Sequence, residues 1–453
     1  MIIVGSGVGG YPAAIYLARK GLRVAVVEKH LVGGECTNYG CVPSKALYHF
    51  AESVKTIDRL GGRANYSWES IVEWIGEVVK STREGLQGLL EEAGVDIIRG
   101  KAALKSPREV FVRDGDTEML VETEKILLAP GTDPATIRGL EFDGHTILSN
   151  RDLFSIREKP ERVLIVGGGV IGVEVANALA SLKTDVTLVE IMDHILPFTD
   201  RDVALAVKSY LTSIGVKVLE KTSVEEVEKK TGGAIVKLSS GLREEFDKIL
   251  VAAGRKPSTS ELQLANAGVE TDAKGYIKTN DRLETSAPGI YATGDAIGGP
   301  QLAHKAIVES IAAAKNMLGE KSFTIDYTSV PLTIFSGLEV ATIGFTEKDL
   351  IAKGVRYTKV KAPVSYLSAV RIKGHKHAFV KMMMSEDGSK VYGIQIVSPN
   401  ASEIISAYIP FYMGKMSSEE IAKTPYPHLT VSESLRDFAE FILGDSVHIL
   451  ARR

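Results

Sequence analysis

The chain has 453 residues, 44% hydrophobic and 25% charged. That is an ordinary globular composition, long enough for about three domains of ~150 residues each. Its 57 acidic and 54 basic side chains give a net charge of −3, which leaves no electrostatic case for nucleic acid, and no apolar run reaches the ~20 residues of a membrane span.

In chain order, residues 2–4 are an apolar run entering Gly5-Ser6-Gly7-Val8-Gly9-Gly10. This reads as a strand and a glycine turn, not a secretion signal, so a cytoplasmic protein is expected. Helical sequence follows over 11–20, then a buried strand over 23–28 ending on Glu28. A Gly-x-Gly-x-x-Gly turn lets the backbone approach a pyrophosphate at the helix N-terminus, and the terminal acid can accept ribose hydroxyls. Alone the motif is weak, because a glycine-rich turn has the same letters; the strand context and the acid strengthen it.

Gly33-Gly34-Glu35-Cys36 leads through Cys41-Val42-Pro43-Ser44-Lys45, and these two cysteines are the only ones in the chain. Pro43 sits where a first helical turn tolerates proline. Cys41 therefore falls near a helix N-terminus, where the dipole and unpaired N–H groups favour a thiolate. The spacing lets the sulfurs meet across one turn. A zinc site needs closer pairs and two further ligands. A structural disulfide is the plain alternative, but so short a bridge adds little to a chain that can build large cores. In a reducing compartment a lone pair points to redox chemistry.

Residues 46–93 carry helical periodicity, with Trp68 and Trp74 as packing residues. Segments 96–98, 110–113 and 119–122 read as a small meander, and 126–131 as an apolar strand ending in a turn. The nucleotide-turn pattern then recurs: a strand at 162–166, the turn Gly167-Gly168-Gly169-Val170-Ile171-Gly172, a helix over 173–183, and a strand ending at Glu190. Gly5, Gly7, Gly10 and Glu28 each precede Gly167, Gly169, Gly172 and Glu190 by 162 positions. Two dinucleotide-binding domains follow from that repeat. A closing strand, 249–255, parallels 126–131. Asp295 ends a further strand, where ligands of open α/β sheets bind, though a helix-capping aspartate reads the same. From about residue 328 four strands and three helices suggest an α+β module suited to dimerisation.

Together these residues carry a resemblance. The chain resembles the dihydrolipoamide dehydrogenases, among the flavin disulfide reductases that carry FAD and a Cys-x4-Cys pair. The resemblance runs over essentially the whole length. Its most specific pieces are the two-cysteine stretch, Thr293-Gly294-Asp295, the segment from Gly299 to Ala306, and His428 followed by Glu433. It implies an α/β fold with two Rossmann-like domains, for FAD and NAD, and a C-terminal α+β dimerisation domain. The expected boundaries are 1–142 for the FAD domain, 143–268 for the NAD domain, 269–327 for a segment completing the FAD domain, and 328–453 for the interface domain of a homodimer. Cofactor contacts are implied for Gly5, Gly7, Gly10, Glu28, Lys29, Gly34, Lys45, Ala102, Gly131, Asp295, Ala303, Gly167, Gly169, Gly172, Glu190 and Gly254. Glu28 would meet the FAD adenosine ribose and Asp295 the ribityl side. Glu190 would repel a 2′-phosphate, which favours NAD over NADP.

The resemblance also implies roles. Cys36 becomes the interchange thiol and Cys41 the flavin-side thiol. Lys45 pairs with Glu174. His428, supplied by the partner subunit, becomes the acid–base group, and Glu433 orients it. Without the family, Thr430-x-x-Glu433 reads as a capping box, Lys45 as a solvated lysine and Glu174 as a surface acid. The implied substrate is dihydrolipoamide, possibly on a lipoyl domain of a 2-oxoacid dehydrogenase or glycine cleavage complex. A glutathione-type reductase is disfavoured by Ser44 before Lys45, mercuric reductase by the lack of a second thiol pair, and a soluble transhydrogenase by the presence of both cysteines. A non-catalytic FAD- and NAD-binding sensor leaves Cys36, Cys41 and the His428–Glu433 pair unexplained. His145, His194, His375, His377 and His448 read as surface or packing residues. His375-Lys376-His377 lacks a third ligand, so no metal is expected. The chain departs from the family at Val8, Pro130, Gly337-Leu338 and Leu429.

Overall fold

The computed structural model describes residues 1–449, which divide between two compact units. The first holds residues 1–47, 65–159 and 251–327; the second holds 48–64, 160–250 and the chain from 328 onward.

The first unit is built on a five-stranded parallel sheet in the order Ile290–Ala292, Ile126–Leu128, Ile2–Val4, Ala25–Glu28, Asp96–Arg99. Its strands are short apolar runs because both faces are covered, as a parallel sheet with crossover helices requires. Alternate residues face opposite ways. Ile3, Val26 and Leu127 pack against Ala13, Ala14 and Leu17 of helix Tyr11–Arg19 and Ala313 and Met317 of helix Ala303–Met317. Val4, Val27 and Leu128 instead meet Leu104, Val110 and Val112 of an antiparallel meander.

That meander consists of Lys101–Ser106, Glu109–Asp114 and Thr117–Glu122. Segment 96–98 therefore does not belong to it, contrary to the sequence reading. Asp96–Arg99 pairs in parallel with Ala25–Glu28 at the sheet edge, and Lys101–Ser106, unread in the sequence, takes its place. Both segments are short and half-apolar, so only their pairing separates them. The helical region 46–93 is two helices, Cys41–Arg59 and Trp68–Glu92. Trp68 is buried and donates to the Ile156 carbonyl at 2.9 Å, while Trp74 is half-buried.

The second unit repeats the first half of this plan. Lys217–Glu220, Asp185–Glu190, Arg162–Val166 and Lys248–Val251 lie in that order, beside helix Val170–Ser181. Ile2 pairs with Ala25 as Leu164 pairs with Thr187, and Val4 with Val27 as Val166 with Val189, so the sequence repeat is also a repeat of register. From residue 332 an antiparallel sheet runs Leu332–Ile334, Val340–Gly344, Val391–Val397, Phe379–Met384, Thr358–Pro363. Val380, Met382, Ile394 and Ile396 form its core with Ile405 and Tyr408 of helix Ala401–Tyr412 and Phe438 of helix Glu433–Leu443. Among the described residues no helix is long and apolar enough to cross a membrane.

Candidate active site

The two glycine turns are built alike. Gly5 donates to the Val27 carbonyl at 2.8 Å and Gly167 to the Val189 carbonyl at 2.9 Å. A side chain on Gly10 would overlap the Gly5 carbonyl, and one on Gly172 the Gly167 carbonyl, so each helix can start this close to its strand only with glycine. Helices Tyr11–Arg19 and Val170–Ser181 both begin at glycines, without a side-chain cap. Gly169 adds no bulk and has open space where its Cβ would stand. Uncapped N-terminal N–H groups beside open space fit a pyrophosphate.

The strand-end acids match as well. Glu28 accepts from Ser6 N at 2.9 Å, Ser6 Oγ at 2.6 Å and His30 N at 2.9 Å. Glu190 accepts from Gly168 N at 2.7 Å and Met192 N at 2.8 Å. The backbone donors again stand at the repeat offset. Both carboxylates are buried at their turns, where a ribose diol would be read.

Asp295 lies in the short 3-10 helix Gly294–Ile297 and accepts from Thr132 Oγ1 at 3.1 Å. Burial raises its carboxyl above the ordinary range, against the Thr132 hydrogen bond and the charges of Arg255 and Lys305. The preceding turn is held by a buried pair. Glu309 accepts from Gly294 N at 2.8 Å, and Lys305, 3.2 Å from Glu309, donates to the Gly294 and Gly298 carbonyls. Gly131 and Gly254 flank the two-stranded ribbon Thr132–Pro134 with Arg255–Pro257. Ala303 opens its helix, Ala102 is buried under the sheet, and Lys29 is exposed beyond Glu28.

Cys36 lies in helix Gly34–Asn38, and Cys41 is the first residue of helix Cys41–Arg59. Both are thiols here. The Cys36 and Cys41 thiols are hydrogen-bonded to each other. That hydrogen bond, burial and the charge of Cys41 push the Cys36 pKa well up, while Lys45 pulls it down. The pair therefore titrates as a unit, with negative charge favoured on the sulfur at the helix N-terminus. The Tyr11 hydroxyl is raised by burial and by the nearby Cys36.

The second unit carries the other candidates. His428 Nδ1 lies 3.0 Å from Glu433 Oε1, and Glu433 Oε2 accepts from Thr430 N at 3.2 Å. Only half of a capping box forms: Thr430 Oγ1 donates to the Pro427 carbonyl and Ser432 is the N-cap. The His428 side chain is 80% exposed and that of Glu433 13%, so the imidazole is presented outward from a fixed carboxylate. Glu174 is buried, not a surface acid, and accepts from Phe335 N at 3.0 Å.

Leu429 has φ 57, which proline cannot adopt. A side chain at Gly337 would meet the Tyr210 hydroxyl and the Lys55 ammonium, so histidine there would require both side chains to move. His375 is packed against Tyr210, His194 contacts the Ile195 carbonyl and His448 contacts Asp437. Among the described residues the one carboxylate cluster of metal-binding size, Asp200, Asp202 and Glu347, already holds a cation. The Lys381 ammonium lies 2.7, 2.7 and 3.0 Å from them.

The sequence reading missed Glu35. Its carboxylate accepts from Asn150 Nδ2 and Arg151 Nε, both at 2.8 Å, and meets Arg255 at 3.1 Å. Nothing local signals partners so distant in sequence.

With this geometry the chain belongs to the pyridine nucleotide-disulphide oxidoreductases. That family's model matches residues 1–310, and its dimerisation-domain model matches 330–439. It is a flavin-dependent dithiol/disulfide oxidoreductase, of a family that uses FAD and NAD. The relatives carry a narrower name. The chain is 37% identical to the dihydrolipoyl dehydrogenase of Thermus scotoductus, spanning 100% of this chain and 99% of the relative. It is 33% identical to that of Haloferax volcanii, spanning 100% and 98%. Among solved structures, LpdA of Mycobacterium tuberculosis superposes with a TM-score of 0.91 at 26% identity, over 97% of this chain and 99% of that one. The HOCl-induced flavoprotein disulfide reductase RclA of Escherichia coli gives 0.87 at 26% identity, over 96% and 98%.

Proposed function

We propose that the chain is a dihydrolipoyl dehydrogenase that works as a cytoplasmic homodimer and oxidises dihydrolipoamide with NAD. The observation that carries this is the pairing of the Cys36 and Cys41 thiols, with Cys41 at the first residue of a helix. The first glycine turn, with Glu28 and Asp295, would hold FAD, and the second, with Glu190, would hold NAD. Glu190 adds negative charge where a 2′-phosphate would sit.

His428 takes a proton from one substrate thiol, and Glu433 holds the imidazole for that transfer. Histidine suits the task because it titrates near working pH. The resulting thiolate attacks Cys36 of the Cys36–Cys41 disulfide, and Cys41 leaves as a thiolate, stabilised by its helix N-terminus and by Lys45. The second substrate thiol then attacks the mixed disulfide, releasing oxidised lipoamide and a reduced cysteine pair. Lys45 steadies charge on the Cys41 side. When bound beside the first glycine turn, FAD would supply two-electron chemistry between the cysteine pair and NAD. His428 would serve the partner's cysteines, in keeping with its exposure in the single chain. The dithiol would arrive on a lipoyl domain of a 2-oxoacid dehydrogenase or glycine cleavage complex.

The test compares NAD-linked oxidation of dihydrolipoamide with NADH- and NADPH-linked reduction of glutathione. Turnover with dihydrolipoamide and NAD, and at most trace reduction of glutathione, is expected. Fast glutathione reduction without dihydrolipoamide oxidation would overturn the assignment.

A further inference from the structure

Glu35 adjoins Cys36 and is three-quarters buried. Its partners do not depend on it for their places. Arg151 also holds Asp133 at 2.8 Å, and Arg255 donates to Thr132 Oγ1 at 2.8 Å and to the Thr132 carbonyl at 2.7 Å. Both guanidinium groups are thus fixed by other contacts and present a rigid socket to the Glu35 carboxylate. Asn150 completes the socket and donates as well to the Tyr39 carbonyl at 3.1 Å, within the loop between the cysteines. The segment from Cys36 to Cys41 is therefore anchored beside its first sulfur and again near its second.

Charge-assisted hydrogen bonds to a carboxylate are about twice as strong as neutral ones, so this anchoring restrains the turn firmly. The oxidation step it governs is Cys36–SH plus Cys41–SH plus an oxidised dithiol giving the Cys36–Cys41 disulfide plus the reduced dithiol. Two thiol protons and two electrons pass to the acceptor. Closure is favoured in proportion to the effective concentration of one thiol at the other, which a fixed turn raises and a loose one lowers.

We propose that Glu35 is a positioning residue for the redox pair, held by Arg151, Arg255 and Asn150, and that it sets the disulfide–dithiol equilibrium of Cys36–Cys41. The proposal rests on the reading of Cys36–Cys41 as the redox couple. It is tested with the flavin-loaded protein equilibrated anaerobically in mixtures of reduced and oxidised dithiothreitol. Free thiols are then trapped by alkylation, and the Cys36–Cys41 peptide is weighed by mass spectrometry. Glu35→Gln, which keeps the shape and removes the charge, and Asn150→Ala, which removes the link to Tyr39, are each expected to shift the equilibrium at least tenfold towards the dithiol. The flavin content should stay unchanged. A destabilising but merely structural role would lower the unfolding midpoint and leave the equilibrium where it was. Equilibria within twofold of the parent in both variants would overturn the proposal. Absence of any Cys36–Cys41 disulfide in the parent would instead overturn the redox reading beneath it.

Discussion

Glu190 commits both carboxylate oxygens to backbone N–H groups, at 2.7 and 2.8 Å, so its charge is fixed in direction and cannot swing away from an incoming phosphate. Glu190→Ala is expected to lower the NAD to NADP ratio in kcat/KM at least tenfold, about 1.4 kcal/mol; an unchanged ratio in steady-state assays would contradict the role given to Glu190. His375 makes a pH prediction. Burial, then the charges of Lys55, Arg59 and Lys373, lower its pKa to about 4, against about 6.5 in an unfolded chain. Between those values the unfolded chain binds a proton that the folded one refuses. The contribution of neutral His375 is therefore complete above pH 6.5 and is lost as pH falls towards 4. At 1.36 kcal/mol per unit, the gap of about 2.5 pH units makes the loss of the order of 3.4 kcal/mol. His375→Gln should flatten that section of the urea midpoint plotted against pH, and an equally steep variant would argue against a buried neutral histidine. The sequence showed the residue but not the three cations around it.

The strand Phe379–Met384 is written in mostly apolar letters, yet the lysine in its middle gives no local sign of its partners. Lys381 is fully buried and is held by Asp200, Asp202 and Glu347, which come from other elements of the same unit. Burial pushes Asp202 and Glu347 up. Hydrogen bonds from Lys361 and Lys381 to Asp202, and from Lys359 and Lys381 to Glu347, outweigh it and bring both below the ordinary range. Their stabilisation is therefore present above the unfolded carboxylate pKa, about 4, and lost as pH falls below it. Lys381→Met leaves the carboxylates without their shared cation and is expected to cost about 3–5 kcal/mol in urea unfolding at pH 7. A loss below 1 kcal/mol would show that water or the surface lysines take its place. A helix start was read well where chemistry marks it: Pro43 pointed to a first turn beside Cys41, and helix Cys41–Arg59 begins there. Asp96–Arg99 was misplaced because a four-residue strand records its neighbours nowhere in its own sequence.

For the whole chain, the most legible feature was the repeat at 162 residues, because glycine spacing and a terminal acid are direct demands of one backbone geometry. The structure returns it as matched registers and matched carboxylate hydrogen bonds. The Glu35 socket was illegible for the converse reason, since Arg151 lies 116 positions away and salt bridges leave no periodic trace. If His428 serves the partner's cysteines, Cys36→Ser and His428→Gln homodimers should each be nearly inactive. Mixed dimers should then recover activity, because one of their two sites has both groups intact. No recovery would place His428 with its own chain's cysteines or outside the chemistry. The most direct test of the account is NADH formation from dihydrolipoamide and NAD by the purified protein and by its Cys36→Ser and Cys41→Ser variants. The account predicts steady turnover in the parent and a loss of at least a thousandfold in each variant. Turnover that survives either substitution, or a parent that binds both nucleotides yet forms no NADH, would contradict it.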